Sequence, residues 1–154
     1  MTTEQMIQKL NLPPVYQLGY VVGDIDAACK HYESIFGVGP FTVIDEVDME
    51  GAILRGKPIS TKIKVAFAKS DKIELEFIQP LEGKNLYTEF LEAKGDGIHH
   101  LGFKVDEMDK WLKAFADMGL YPIYHHDMAA VNFAFAYFDT SLPGGLMLEL
   151  LHWK

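Results

Sequence analysis

Cysteine and arginine are present once each, as Cys29 and Arg55, and no apolar run approaches the roughly 18 residues of a membrane span. A lone cysteine excludes an intramolecular disulfide and fits a reducing compartment. Basic residues number 14 against 22 acidic ones, a net charge of −8, so the chain lacks the basic footprint that nucleic acid requires. The opening Met1-Thr2-Thr3-Glu4 is neither basic nor followed by an apolar stretch, so no secretory signal is expected. No low-complexity tract or flexible linker interrupts the chain. These absences predict a soluble cytoplasmic protein that partners neither nucleic acid nor membrane.

What the chain does contain is a repeat. Gly97-Ile98-His99-His100-Leu101-Gly102-Phe103-Lys104-Val105-Asp106 reads as a strand running into a helix, and Tyr16-Gln17-Leu18-Gly19-Tyr20-Val21-Val22-Gly23-Asp24 reads the same way. Ile73-Glu74-Leu75-Glu76-Phe77-Ile78 lies over Leu146-Met147-Leu148-Glu149-Leu150-Leu151 at the end of each copy. An internal repeat sets the architecture before any local signal does. Residues 1–14 read as an arm, and residues 15–152 as one domain of two modules, 15–94 and 95–152. A module of that size buries too little surface to be comfortable alone, so the halves should share a core.

In the first module a strand over 15–22 leads to a helix capped by Asp24, with Ile25, Ala28, Cys29, Tyr32, Ile35 and Phe36 at helical spacing and Gly37 at its end. Strands follow over 41–47, 61–68 and 72–78, and the Gly- and Pro-bearing stretch 48–58 between the first two reads as a loop. A short helix over 86–94, capped by Asn85, precedes the second module. There the spacing predicts strand 98–105, helix 107–118, and strands 120–125, 131–138 and 146–152. Each module is therefore strand, helix, strand, strand, strand.

Four polar residues occupy repeat-equivalent places, Gln17 with His100 and Glu76 with Glu149. Glu149 shares its strand face with Met147 and Leu151, where a carboxylate is costly to bury without a cation or strong donors. Gln17 and His100 each have a glycine beside them on their face. A twofold relation between the copies would collect one imidazole, two carboxylates and one amide oxygen. That donor set suits Zn²⁺, Mn²⁺, Fe²⁺, Co²⁺ or Ni²⁺, and the absence of thiolates argues against a structural zinc. A rival set of His99, His125, His126 and His152 has no repeat symmetry behind it. Taken singly, His100 or Gln17 also reads as a hydrogen-bonded core residue.

These stretches resemble the vicinal oxygen chelate superfamily, which includes glyoxalase I, methylmalonyl-CoA epimerase, extradiol dioxygenases and bleomycin-resistance proteins. The resemblance implies an α+β fold of two βαβββ modules in tandem, forming a curved, mostly antiparallel sheet around one divalent metal per chain. It places the metal ligands at Gln17, Glu76, His100 and Glu149, and it implies a homodimer. The activity implied is that of an isomerase or lyase that transfers a proton alpha to a carbonyl or thioester through an enediolate, with Glu149 and Glu76 as acid and base. Asp45, Glu46, Asp48 and Glu50 are reserve bases. Arg55 and Lys57 are candidate anchors for a substrate carboxylate or CoA phosphate. The alternative is a binding protein for an aromatic or antibiotic ligand, suggested by Phe133, Phe135, Tyr137 and Phe138 with Trp111 and Trp153.

Overall fold

The structure is a computed structural model that describes residue 2 and residues 10–154. Ten strands form one sheet in the order β2-β5-β6-β1-β7-β10-β9-β8-β3-β4. They are β1 (Gln17–Val21), β2 (Thr42–Asp48), β3 (Ala52–Leu54), β4 (Lys57–Ile59), β5 (Lys62–Ser70), β6 (Ile73–Glu82), β7 (Gly97–Lys104), β8 (Tyr124–Met128), β9 (Phe133–Phe138) and β10 (Met147–Trp153). The α-helices that lie wholly among the described residues are α1 (Ile25–His31), α2 (Leu86–Lys94) and α3 (Met108–Ala116). Only β1 with β6 and β7 with β10 pair in parallel; the other neighbours are antiparallel. The curled mixed sheet with few helices is the α+β arrangement expected. None of the described helices is long and apolar enough to cross a membrane.

The repeat is visible in the pairing. β1 and β7 run antiparallel at the centre, each flanked on its outer side by the last strand of its own copy. Side chains alternate between the faces of the sheet. One face of the second copy packs Leu148 and Leu150 under α3, through Phe115, Trp111 and Leu112. In the first copy Phe77 and Ala66 meet Ile25 and Cys29 of α1. The opposite face holds Val65, Ile78, Tyr87, Phe135, Tyr137 and Leu151 and curves around the interior.

The caps follow the sequence closely. Asp24 accepts a hydrogen bond from the Ala27 amide, and Asn85 forms a reciprocal capping box with Thr88. Asn85 is fully buried because its Nδ2 also donates to Thr61 Oγ1, which itself donates to the Glu82 carbonyl. Past His31 the helix α1 widens into a π-turn over Tyr32–Phe36, closed by Gly37 in the left-handed region at φ 66°.

Three expectations fail. Residues 48–58 are not a loop: β3 and β4 form a hairpin there, and β3 pairs with β8 of the other copy, Ile53 with His125 and Leu54 with Tyr124. Gly56 at φ 80° and Arg55 at φ 49° supply the tight turn, and Pro58 is tolerated because β4 is the edge strand. The strand expected over 120–125 begins only at Tyr124, since Pro122 cannot extend the ladder. Helix α3 ends at Ala116, earlier than the expected 118, and Gly119 takes φ 77°. Of the N-terminal arm, Met1 and residues 3–9 lie outside the described residues, while Leu10 is buried in the cluster beneath α3.

Candidate metal centre

Two rows run across the four central strands, and each has glycine at a crossing point. In one, Glu76 on β6 and His100 on β7 both face Gly19 of β1. In the other, Gln17 on β1 and Glu149 on β10 both face Gly102 of β7. A β-carbon on Gly19 would overlap the His100 ring, and one on Gly102 would press on Gln17 and Leu151. The glycines thus vacate the space into which the polar side chains lean. Both rows lie on the interior face.

The result is three oxygen donors gathered around one nitrogen. His100 Nε2 lies 2.9 Å from Glu149 Oε2, 3.0 Å from Gln17 Oε1 and 3.3 Å from Glu76 Oε1. One ring N–H can be directed at only one of three oxygens. Glu149 Oε2 is fully buried and has no aligned hydrogen-bond donor, although the imidazole nitrogen is close. Gln17, His100 and Glu149 are 3% exposed or less and Glu76 is 9% exposed, so bulk water is not the missing partner. A divalent cation of the oxygen- and nitrogen-binding kind fits this set, since it would satisfy all four donors at once. Ligand atoms of Glu76, His100 and Glu149 all lie within 4.8 Å of one another, close enough to share an ion.

Charge follows from this crowding. Burial alone would lower the His100 imidazole, but the Glu149 and Glu76 carboxylates outweigh it and raise the value to about 9. Burial raises the Glu76 carboxyl, and His100 only partly offsets that. Without a metal, therefore, an imidazolium sits between the carboxylates.

Surrounding groups fix the ring and the amide. The pairing of β1 with β7 shifts register between Gly19 and Tyr20, so that Gly19 faces His100, Tyr20 faces Ile98, and His99 is left without a partner. A bulge of this kind re-aims a side chain. It places the His99 ring edge-on to Tyr87, Phe90 and Tyr137 and brings its Nδ1 within 2.9 Å of His100 Nδ1. Burial and then the neighbouring His100 hold His99 well below the ordinary histidine range, so it is neutral and accepts from His100 Nδ1–H. That bond turns His100 Nε2 toward the oxygens. On the other side Gln17 Nε2 donates to Glu74 Oε1 at 2.8 Å, which turns Gln17 Oε1 toward His100. Burial raises the Glu74 carboxyl.

The site opens into a cavity of about 770 Å³ whose lining includes Gln17, Glu76 and Glu149. Tyr87 and Tyr137, with hydroxyls 2.9 Å apart, also line it. Phe133, Phe135 and Trp153 form part of its wall, whereas Phe138 turns to the α3 side and Trp111 bonds Asp106 outside.

Other candidate residues separate. His125 and His152 face a second cleft, and no metal-sized cluster includes them or His99 among the described residues. Glu46 and Asp48 line the cavity; Asp45 and Glu50 do not, and Asp45 pairs with Lys64. Arg55 and Lys57 do not line it either, and Arg55 is held by Glu89 at 2.7 Å. They are therefore not anchors at this cavity. The roles of His99, Glu74 and the tyrosine pair were missed in the sequence, where only the doubled His99-His100 and the Glu74/Glu76 alternation hinted at them.

Known proteins share this scaffold. The chain is 27% identical over 138 residues to the uncharacterized protein YqjC of Bacillus subtilis (strain 168), covering 89% of this chain and 90% of that one. Methylmalonyl-CoA epimerase from Mycobacterium tuberculosis superposes with a TM-score of 0.69 at 19% identity, over 100% of this chain and 93% of that one. A variant of the Streptomyces coelicolor methylmalonyl-CoA epimerase, in complex with 2-nitronate-propionyl-CoA, gives 0.72 at 18% identity, over 92% and 95% of the two chains. At such identities the likeness establishes the fold. Residues 16–137 match the family model of the Glyoxalase/Bleomycin resistance protein/Dioxygenase superfamily, and the chain belongs to that superfamily.

Proposed function

We propose that this protein is a divalent-metal-dependent isomerase or lyase that moves a proton on the carbon next to a carbonyl. The observation that carries the reading is the convergence of three side-chain oxygens within 3.3 Å of one buried imidazole nitrogen, on the floor of a cavity. Gln17, Glu76, His100 and Glu149 are the proposed ligands. When bound, the metal would supply Lewis acidity to a substrate carbonyl oxygen and so acidify the neighbouring C–H.

The protein's own groups then handle the proton. Glu149, which lines the cavity, would take it from the carbon when displaced from or loosely bound to the metal. Glu76 stands across β1 and β7 from Glu149 and would be the complementary acid when not held by the metal. Two such groups flanking one reacting carbon suit removal of a proton from one face and its return to another position or face. The apolar walls keep water from competing. The epimerase neighbours support this class of reaction, because epimerisation is itself a proton transfer at carbon.

Solvent deuterium entering the α-carbon of thioesters or hemithioacetals, seen by NMR with metal-loaded protein, tests the reading. Exchange lost in Glu149→Gln is expected. Exchange unaltered in that variant would remove Glu149 from the reaction. A protein that takes up no metal and binds aromatic ligands would instead be a non-catalytic binding module.

A further inference from the structure

The electrostatics of the cavity restrict what enters it, and the inference rests on the proposed reaction. Among the described residues every formally charged side chain that lines the cavity is acidic: Glu46, Asp48, Glu76, Asp127 and Glu149. Among the described residues no lysine or arginine lines it. Lys154 pairs with Asp127 at 2.8 Å and Lys62 lies 3.7 Å from Glu46, so those two carboxylates are partly compensated, while no ion pair among the described residues compensates Asp48. His126, the one histidine on the lining, is lowered by burial and brings no reliable positive charge. Glu46, Asp48 and Asp127 are all exposed, so the acidic groups mark the mouth, and an anionic tail leaving the cavity would meet them first.

The walls are of the opposite character. Val65, Phe67, Phe133, Phe135, Leu151 and Trp153 enclose the space above the polar floor. Trp153 leans on Phe133 with ring centroids 5.0 Å apart, and Phe133 and Phe135 follow on the same face. A cavity of about 770 Å³ is far larger than a two- or three-carbon acyl group needs and holds a ring. Gln17, Glu76 and Glu149 are the polar residues at the floor of this space, which marks the polar end of the occupant.

We infer that the substrate is an uncharged carbonyl compound bearing an apolar, ring-sized group, and that phosphate-bearing thioesters such as coenzyme A esters are disfavoured by the acidic mouth. The carbonyl end would lie toward Gln17, Glu76 and Glu149, and the ring between Phe133, Phe135 and Trp153.

Three probes separate the two halves of this inference: the N-acetylcysteamine thioester of phenylacetate, the same acyl group on coenzyme A, and the N-acetylcysteamine thioester of propionate. Calorimetry on metal-loaded protein reads their binding directly. The uncharged phenylacetyl thioester should bind roughly tenfold or more tightly than either of the others, the scale expected for one buried ring or one misplaced anion. Glu46→Lys with Asp48→Lys should narrow the gap to the coenzyme A ester and leave the propionyl thioester unchanged. Equal or tighter binding of phenylacetyl-CoA, loss of the ring preference, or no binding by any probe overturns the inference. Metal content of the same samples distinguishes the failures: with metal bound, only the substrate class falls, and without metal the proposed reaction falls as well.

Discussion

The His100 ring occupies the space that a β-carbon on Gly19 would take. Glycine at position 19 is thus a condition for His100 to lean across β1 toward Glu76. Gly19→Ala should force the imidazole aside, cost about 1–3 kcal/mol in stability through overpacking and weaken metal retention. Gly97→Ala is the control, since a β-carbon there would meet only Phe90 at 3.6 Å. Urea denaturation and metal content measured on both variants check the point; equal behaviour would deny the role of Gly19.

The state of His100 makes stability and metal uptake depend on pH. Its folded value of about 9 stands above the ordinary 6.5, so the native protein keeps a proton that the unfolded chain releases between those values. The resulting stabilisation is fully present below about 6.5 and is lost as pH rises through about 9. Metal needs the neutral ring and competes with that proton, so metal affinity should climb over the same window. Thermal melts of metal-free and metal-loaded protein test this: the metal-free Tm should fall across the window and the loaded Tm should not. A metal-free Tm that rises there contradicts the assignment.

His99 is a positioning residue that accepts from His100 Nδ1–H. His99→Phe keeps an aromatic group among Tyr87, Phe90 and Tyr137 but removes the acceptor. Metal affinity should drop by about 10–100-fold, the usual effect of losing such a partner, and His99→Asn should restore part of it. A lower urea midpoint with unchanged metal affinity would make His99 a packing residue only.

Tyr87 and Tyr137 hydrogen-bond each other at 2.9 Å and are both almost wholly buried. Either Tyr→Phe change strands the remaining hydroxyl, at a cost of about 1–3 kcal/mol. The double variant should cost clearly less than the sum of the singles. Additive losses in urea denaturation would show that the pair is not coupled.

Much of this arrangement is legible in the chain because strand periodicity and the repeat act together. Gln17, His100, Glu76 and Glu149 fall at equivalent places, and Gly19 and Gly102 stand two residues from the first pair, so the rows across the sheet follow once β1 and β7 pair. The hairpin over Ala52–Ile59 is not legible, because its stability comes from β8, a strand some seventy residues away in sequence. Locally, Gly51, Gly56 and Pro58 look only like a loop. His99 is hidden for a different reason: ideal alternation sends it away from His100, and only the bulge returns it to the same side. Glu74 shares a strand face with Glu76, and what meets its carboxylate is the Gln17 amide, while burial raises its carboxyl.

The central claim is that Gln17, Glu76, His100 and Glu149 hold a divalent metal, and elemental analysis of the purified protein tests it most directly. About one divalent ion per chain is expected, retained after desalting and lost in a His100→Ala/Glu149→Ala variant that still melts cooperatively. No metal in the wild-type protein, and no uptake when Zn²⁺, Ni²⁺, Co²⁺ or Mn²⁺ is added, would contradict it.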